Sequence, residues 1–409
     1  MPFFPPKMSL FSHDFVLYTT CVTFLYAICA GFRDNYGIML PYIVGWSGLS
    51  HATVSFIIGL GQLFFGLMQP VFGLLALRTS NRFVLCAGSL MMLSGLALIP
   101  VSRSAWMLTF SLGILLPSGT AAASFGIIMS CISPKLPPAK VHISSGFVAS
   151  GIGIGICVLS PLIQSFITAH GLTSALIFLS VPVLLLIPIS LLLTRATGAP
   201  QTKAPVCAEG SAADMLHSAF QNPVYRRLTF GFFTCGFHMA LLQTHLFSQL
   251  TSFGLTEKTA SLALSVYGLG AIAGATGSGM ACARFAMSRI LGGLYTSRCA
   301  WGILLLSPLP LPVLFAVIFL LGMTGVSTIA PTSGLVGKLF GPLRLATLFG
   351  LVYLNHQIGA FCSAWVGGLC LRHMGNYSGI WYADIALSLL AGLACLSIKE
   401  HQNPPPETA

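Results

Sequence analysis

The sequence predicts an all-α polytopic membrane protein with twelve transmembrane helices arranged as two six-helix pseudo-repeats. Three observations lead there. Residues are 55% hydrophobic and only 7% charged, against about 25% charged in soluble domains. Apolar runs of the length a span requires, about twenty residues, recur along the whole chain. One long polar interval, from Arg195 to Arg227, cuts it into two parts of similar length.

Six apolar runs precede that interval, at 15–44, 52–76, 82–101, 105–130, 141–169 and 173–194. Six more follow, at 227–250, 259–282, 290–307, 311–337, 346–371 and 379–398. The expected organisation is therefore a bundle over 1–194, a linker over 195–226, a second bundle over 227–398 and a tail over 399–409. Proline, glycine, alanine and small polar residues dominate the first part of the linker, which cannot bury enough apolar surface to fold alone. Residues 212–220 suit a short surface helix. The opening stretch MPFFPPKMSLFSHD shows no small-residue cleavage site before its apolar run, so the first run reads as a retained span. Many of the 43 glycines and 24 prolines sit inside apolar runs, as spanning helices that pack closely tolerate. The twelve cysteines are scattered without a CxxC pair, so no disulfide framework or metal cluster is expected and most should be small core residues.

A formal charge of +11 would suit an acidic partner such as nucleic acid, but its distribution argues otherwise. Arg78, Arg82, Lys135, Lys140, Arg195, Lys203, Arg226, Arg227, Arg284, Arg289, Lys338 and Arg344 fall on one side of the expected topology, with Lys7 and Lys399 at the ends. Arg103, Lys258 and Arg372 fall on the other. This asymmetry places both termini and the linker in the cytoplasm, in a cell inner membrane.

The two parts echo each other. GLLALR, from Gly73 to Arg78, matches GMACAR, from Gly279 to Arg284, in its glycine-to-arginine spacing. PSGT from Pro117 answers PTSG from Pro331, and the spacing of Gly146 and Gly155 matches that of Gly350 and Gly359. Internal repeats of this kind are the common architecture of secondary transporters.

With six plus six spans, cytoplasmic ends and a long central loop, the chain resembles the major facilitator superfamily over essentially its whole length. The loop after the second span departs from the usual pattern, with Leu77 where an aspartate is common and Ser80 where a second glycine is. The usual charge latch between helix ends is thus not expected there. CGFHMALLQTHL from Cys235, TLFGLVYLNHQIGAF from Thr347 and GFVASGIGIG from Gly146 resemble the bacterial monocarboxylate and oxalate:formate branch.

Charged side chains in hydrocarbon are retained when paired, solvated or functional. Arg33 and Asp34 stand together in GFRDNYGIMLPY of the first span, followed by Tyr36. Adjacent helical positions point about 100° apart, so these two are not expected to form an ideal local pair. The resemblance implies that the first, fourth, seventh and tenth spans line a central cavity. There Arg33 would offer its planar fork to a substrate carboxylate, Asp34 would carry a proton or balance the arginine, and Tyr36 would line the site. The bland alternative has Arg33 snorkelling to the nearer surface and Asp34 capping a turn.

His238 and His245 of the seventh span lie on one helical face about 10 Å apart, too far to chelate one metal. Both are candidates for proton coupling, His238 also for substrate contact, with Gln243 as a polar lining residue. Of Asn355, His356 and Gln357, consecutive in the eleventh span, His356 is favoured for substrate or proton contact and Gln357 for substrate; interhelical hydrogen bonding is the alternative. Arg298 and Asp384, at similar estimated depth in the ninth and twelfth spans, are expected to form a structural ion pair.

The glycine run Gly151, Gly153, Gly155 lies inside an apolar helix and does not follow a strand, so helix packing explains it better than phosphate binding. Pro117 and Pro331 read as mirrored bends. Without a nucleotide loop, metal cluster or nucleophile triad, neither ATP-driven pumping nor catalysis is supported. The reading is a secondary transporter of small organic anions, monocarboxylates or short dicarboxylates. It needs no cofactor or nucleic acid, sits as a monomer in the lipid bilayer, and couples to protons or a counter-anion. Efflux of drugs or sugar-like solutes, and a membrane sensor without transport, are the alternatives.

Overall fold

The computed structural model describes residues 13–136, 138–194 and 212–400. The first part of the linker, at 195–211, and the tail beyond residue 400 lie outside the described residues. Every regular element among those described is helical, because a backbone in hydrocarbon must satisfy its own hydrogen bonds. Before the linker come α1 (His13–Asp34), α2 (Tyr36–Ser47), α3 (His51–Arg78), α4 (Asn81–Leu98), α5 (Ala105–Leu108), α6 (Leu116–Ala122), α7 (Phe125–Ile132) and α8 (Pro138–Thr194). Then come α9 (Ala212–Gln221), α10 (Pro223–Ser252), α11 (Glu257–Ala281), α12 (Met287–Leu304), α13 (Leu311–Gly325), α14 (Ile329–Phe340), α15 (Pro342–Met374) and α16 (Ser378–Leu396). Among the described residues, eight helical stretches are long and apolar enough to cross a membrane.

Small polar residues start the helices. Ser50, Ser80, Ser104 and Thr256 accept from the backbone N–H three residues on, and Asn222 accepts from Val224 and Tyr225, each such cap stabilising by about 1 kcal/mol. The runs at 141–169 and 173–194 form the two segments of α8, which meet at a kink at Gly171, whose φ of 78° suits a residue without Cβ. Pro117 follows a π-helical turn at Thr109–Leu115, and Pro331 follows a 3₁₀ turn at Val326–Thr328. A proline cannot donate to the ladder behind it, so the preceding turn changes its pitch.

Glycines set the closest approaches. A Cβ on Gly155 of α8 would meet the backbone of Gly31 in α1 at 2.9 Å. One on Gly153 would meet the Gly268 carbonyl of α11 at 2.5 Å, and one on Gly268 would meet the Gly153 carbonyl at 2.6 Å. The first contact knits the part before the linker; the second joins the two parts. The main packing pairs repeat this logic: α1 on α8 and α10 on α15 within the parts, α3 on α15 and α8 on α11 between them. The expectation that most cysteines are core is corrected. Cys29, Cys131, Cys235 and Cys395 are buried, while Cys21, Cys86, Cys157, Cys282, Cys299, Cys362 and Cys370 are only partly so. In a membrane a small apolar thiol has no need of the interior.

At the end bearing most basic loops, Lys135 donates to the Leu193 carbonyl, Arg227 to the Ser397 carbonyl at 3.4 Å, and Glu400 accepts from the Ser288 N–H at 2.6 Å. At the opposite end, polar contacts tie the two parts together. Glu257 accepts from the Tyr42 hydroxyl at 2.7 Å and from Gln164 at 2.9 Å. His51 meets Tyr377 at 3.4 Å and stacks on His245 with centroids 5.9 Å apart.

Candidate functional site

The site begins where α1 ends. Asn35 leaves helical geometry with ψ of 14°. Its Nδ2 donates to the Gly31 carbonyl at 2.7 Å, and its Oδ1 lies 2.6 Å from the Ser160 hydroxyl of α8. Beside this break Arg33 Nε donates to Asp34 Oδ1 at 2.9 Å, which corrects the expectation that neighbours on a helix would not pair. The arginine stem is long enough to fold back across the angle, and burial of the two charges, 8% and 2% exposed, strengthens their contact. The guanidinium also lies 4.2 Å over the Phe65 ring of α3. Its Nη nitrogens make no hydrogen bond among the described residues.

Arg33 lines a cavity between the two parts together with Gln62 of α3, Gln243 of α10, and Tyr353, His356 and Gln357 of α15. Ile152, Met239, Val326 and Ile329 supply apolar wall. The space is tight, about 20 Å³, room for about one water, so a larger ligand enters as the walls separate. Tyr353 and His356 stack with centroids 5.4 Å apart, and Phe232 tilts against His356 at 5.0 Å. Gly236 lets the His356 backbone pass where any Cβ would collide. Gln62 Nε2, Gln357 Oε1 and His356 Nδ1 are buried without a partner among the described residues. A fixed cation on one wall thus faces amide and imidazole groups on the other, an arrangement suited to a small anion.

The cavity gathers four of the residues singled out for substrate: Arg33, Gln243, His356 and Gln357. Tyr36 and His238 do not line it. Tyr36 is buried beside the helix break, and His238 turns away to α16, with Nδ1 2.7 Å from Asp384 Oδ2. That contact also corrects the expected pairing of Arg298 with Asp384. Arg298 Nη2 instead donates to the Thr324 carbonyl at 2.6 Å and reaches Cys235 Sγ at 3.5 Å. Depth in the membrane fixes height but not azimuth. At its own height Arg298 meets carbonyls near the 3₁₀ turn, while His238 occupies the carboxylate. His245 donates from Nε2 to the Ala364 carbonyl at 2.8 Å and belongs to the contact between the parts. Asn355 bonds the Thr229 carbonyl at 2.8 Å and serves as interhelical glue. Outside the spans, burial pushes the Tyr377 phenol above its usual range, so it meets His51 as a neutral hydroxyl.

Sequence reasoning missed Gln62, Phe65 and Tyr353. Gln62 carried a signal, an amide inside GLGQLFFG. Tyr353 carried a weaker one, lying one turn before His356. Phe65 carried none, being one apolar residue among many.

Comparisons agree with this architecture. The family profile described as Major Facilitator Superfamily matches residues 22–251 and 228–409. Monocarboxylate transporter 13 of Rattus norvegicus is 23% identical over 378 residues, 92% of this chain and 86% of the relative. The MFS transporter asaE of Aspergillus flavus is 21% identical over 382 residues, 91% of this chain and 83% of the relative. The uncharacterized MFS-type transporter YhjX of Escherichia coli is 23% identical over 316 residues, 76% and 77% of the two chains.

Proposed function

We infer the activity from one premise: the chain belongs to the Major Facilitator Superfamily. It is therefore a multi-pass membrane protein and a secondary transporter of a small molecule, in a family of transporters and not enzymes. Its finer reading is a carrier of small organic anions, monocarboxylates or short dicarboxylates, driven by protons through alternating access of two six-helix bundles. A division of the longest stretch at Gly171, with α10, α12 and α15 added as spans, supports a count of twelve. The bias of the basic loops supports cytoplasmic termini and linker, in a cell inner membrane.

One observation carries the substrate class. Arg33 is a buried cation whose Nη nitrogens have no bond among the described residues and which lines a cavity between the two parts. A carboxylate entering a low-dielectric site needs such a partner. The name of the monocarboxylate relative supports the same class. Asp34, His238, His245 and His356 are the groups available for coupling.

The test is uptake of labelled carboxylates into proteoliposomes with an alkaline interior, compared with liposomes loaded with a counter-anion. Accumulation that follows the pH gradient is the expected result. Indifference of every carboxylate to both the gradient and the counter-anion would sink the reading.

A further inference from the structure

We propose that the buried His238–Asp384 pair, beside Arg298, is the proton-binding site that couples this transporter's cycle. The inference rests on the carboxylate reading above and assigns Asp34 a different part, that of counter-ion to the substrate arginine. His238, Asp384 and Arg298 are all 0% exposed, and they come from three helices, α10, α16 and α12. The titratable groups packed around them are Cys235 of α10, Tyr295 and Cys299 of α12, Tyr267 of α11 and, across Gly236, His356 of α15. His238 is flanked in sequence by Met239 and, two residues earlier, Gly236, which both line the cavity. The cluster therefore sits behind the cavity wall, separate from the Arg33–Asp34 pair in the other part.

The pairing is not what a purely structural bridge would use. Arg298 spends Nη2 on the Thr324 and Gly325 carbonyls and leaves Nε and Nη1 without a partner. Asp384 turns one oxygen to a histidine, the side chain that titrates nearest neutrality, and leaves Oδ1 unpartnered. A carboxylate only accepts, so Nδ1 of His238 carries the hydrogen in that 2.7 Å contact. Nε2 has no partner in the structure and holds the lone pair when the ring is neutral. A proton taken from the aqueous side adds to Nε2, and the imidazolium stays against the Asp384 carboxylate. On the other side the proton leaves from the same nitrogen.

Charge balance links this step to the substrate. Without the proton, Arg298 and Asp384 cancel, as do Arg33 and Asp34. A bound carboxylate alone leaves the closed carrier one negative charge in excess, which a low-dielectric interior strongly disfavours. With His238 protonated, the loaded carrier is neutral. Proton and substrate then raise each other's affinity by the same factor. The other candidates are otherwise engaged: Asp34 accepts from Arg33, His245 donates to Ala364 at the contact between the parts, and His356 lies in the cavity itself.

Two measurements on the reconstituted full chain test this. The first is tracer exchange of a transported carboxylate at equal pH on both sides, from about pH 5 to about pH 9, with proton-driven uptake in parallel. In the parent, exchange rises as pH falls. Asp384→Asn fixes the cluster at the charge it has when protonated, so exchange becomes independent of pH while proton-driven uptake falls about tenfold or more. His238→Gln also flattens the profile, at a low rate, and serves if Asp384→Asn does not fold. Asp34→Asn loads to neutrality without a proton, so it too should lose the slope, and the infrared bands separate it from the cluster variants. A pH slope preserved in Asp384→Asn, or loss of both activities in a folded Asp384→Asn protein, overturns the proposal.

The second measurement needs no substrate. An infrared difference spectrum between about pH 5 and about pH 9 should show imidazole and carboxylate bands that Asp384→Asn and His238→Gln remove and Asp34→Asn keeps. Their presence in a protein that moves no carboxylate would refute the substrate class and leave the proton site standing. Their absence from the parent refutes the site.

Discussion

Removing the Arg33 charge should damage stability and transport separately, and a second substitution should restore only the first. Arg33→Gln leaves Asp34, 2% exposed, as an uncompensated buried carboxylate, which destabilises a protein by about 3–5 kcal/mol. It also loses the guanidinium stacked 4.2 Å from the Phe65 ring, about 1–2 kcal/mol when desolvated. Adding Asp34→Asn removes the orphan charge and should recover most of that loss, because neutral amides can bond to each other. Transport has no such rescue. A carboxylate held by two charge-assisted bonds gains about 1.5–3 kcal/mol from each, so both variants should lose roughly 10²–10⁴-fold in affinity. The assay pairs thermal unfolding in detergent with initial rates of carboxylate uptake in proteoliposomes. If the double variant were as stable as the parent and transported within about threefold of it, Arg33 would be a structural partner of Asp34 and the substrate argument would collapse.

Two smaller perturbations follow from the same geometry. Phe65→Leu keeps the bulk beside Arg33 but removes the aromatic face, so KM should rise about fivefold, equivalent to about 1 kcal/mol; an unchanged concentration dependence would remove Phe65 from the site. Glu257→Ala deletes the acceptor of Tyr42 and Gln164 at the end opposite the basic loops. Two bonds to a charged group at the exposed rim sum to about 2–3 kcal/mol, so the population open at that end should grow roughly 30-fold or more. Labelling of a single cysteine at buried Ser261, by an impermeant thiol reagent applied from that side, reads the change. Equal labelling rates in both proteins would mean that the contact holds nothing shut.

The membrane made the fold legible, because hydrocarbon admits only spans of about twenty residues with their hydrogen bonds closed internally. The same rule explains where legibility faded. α10, α12 and α15 fall outside the eight clearly apolar stretches, and these three carry His238, Gln243 and His245, then Arg298, then Asn355, His356 and Gln357. Polar content that weakens a span's signal is the content a transport site requires. Arg33 could be picked out because a charge in a span needs a reason. Asp34 was readable as its balancing charge; the direct contact was not, because it depends on the arginine stem folding back across the helix angle. Asp384 and His238 are 146 positions apart, and their meeting depends on helix azimuths that no local pattern records. Gly153 was read as a packing residue, yet that it packs across the two parts, on Gly268, became visible only with both helices placed.

The two charge clusters bear on symport against exchange. In an obligate exchanger the empty carrier should resist turning over, and an unbalanced cation in the cavity would make it do so, because closure would bury that charge. Here the cavity cation is not unbalanced. Arg33 donates to Asp34 at 2.9 Å, so the empty site is neutral and can close without a ligand. A carboxylate that binds the free Nη nitrogens upsets this balance by one negative charge. Something must restore it before the walls close, and a proton bound behind the second wall does so without occupying the cavity. On the proposed coupling, the arrangement would let two states close, the empty one and the one holding both substrate and proton, while disfavouring the state with substrate alone. Those are the states a proton symporter must allow and the one it must block. The neutral pair in the first part of the chain and the titratable pair in the second are in this sense a single device.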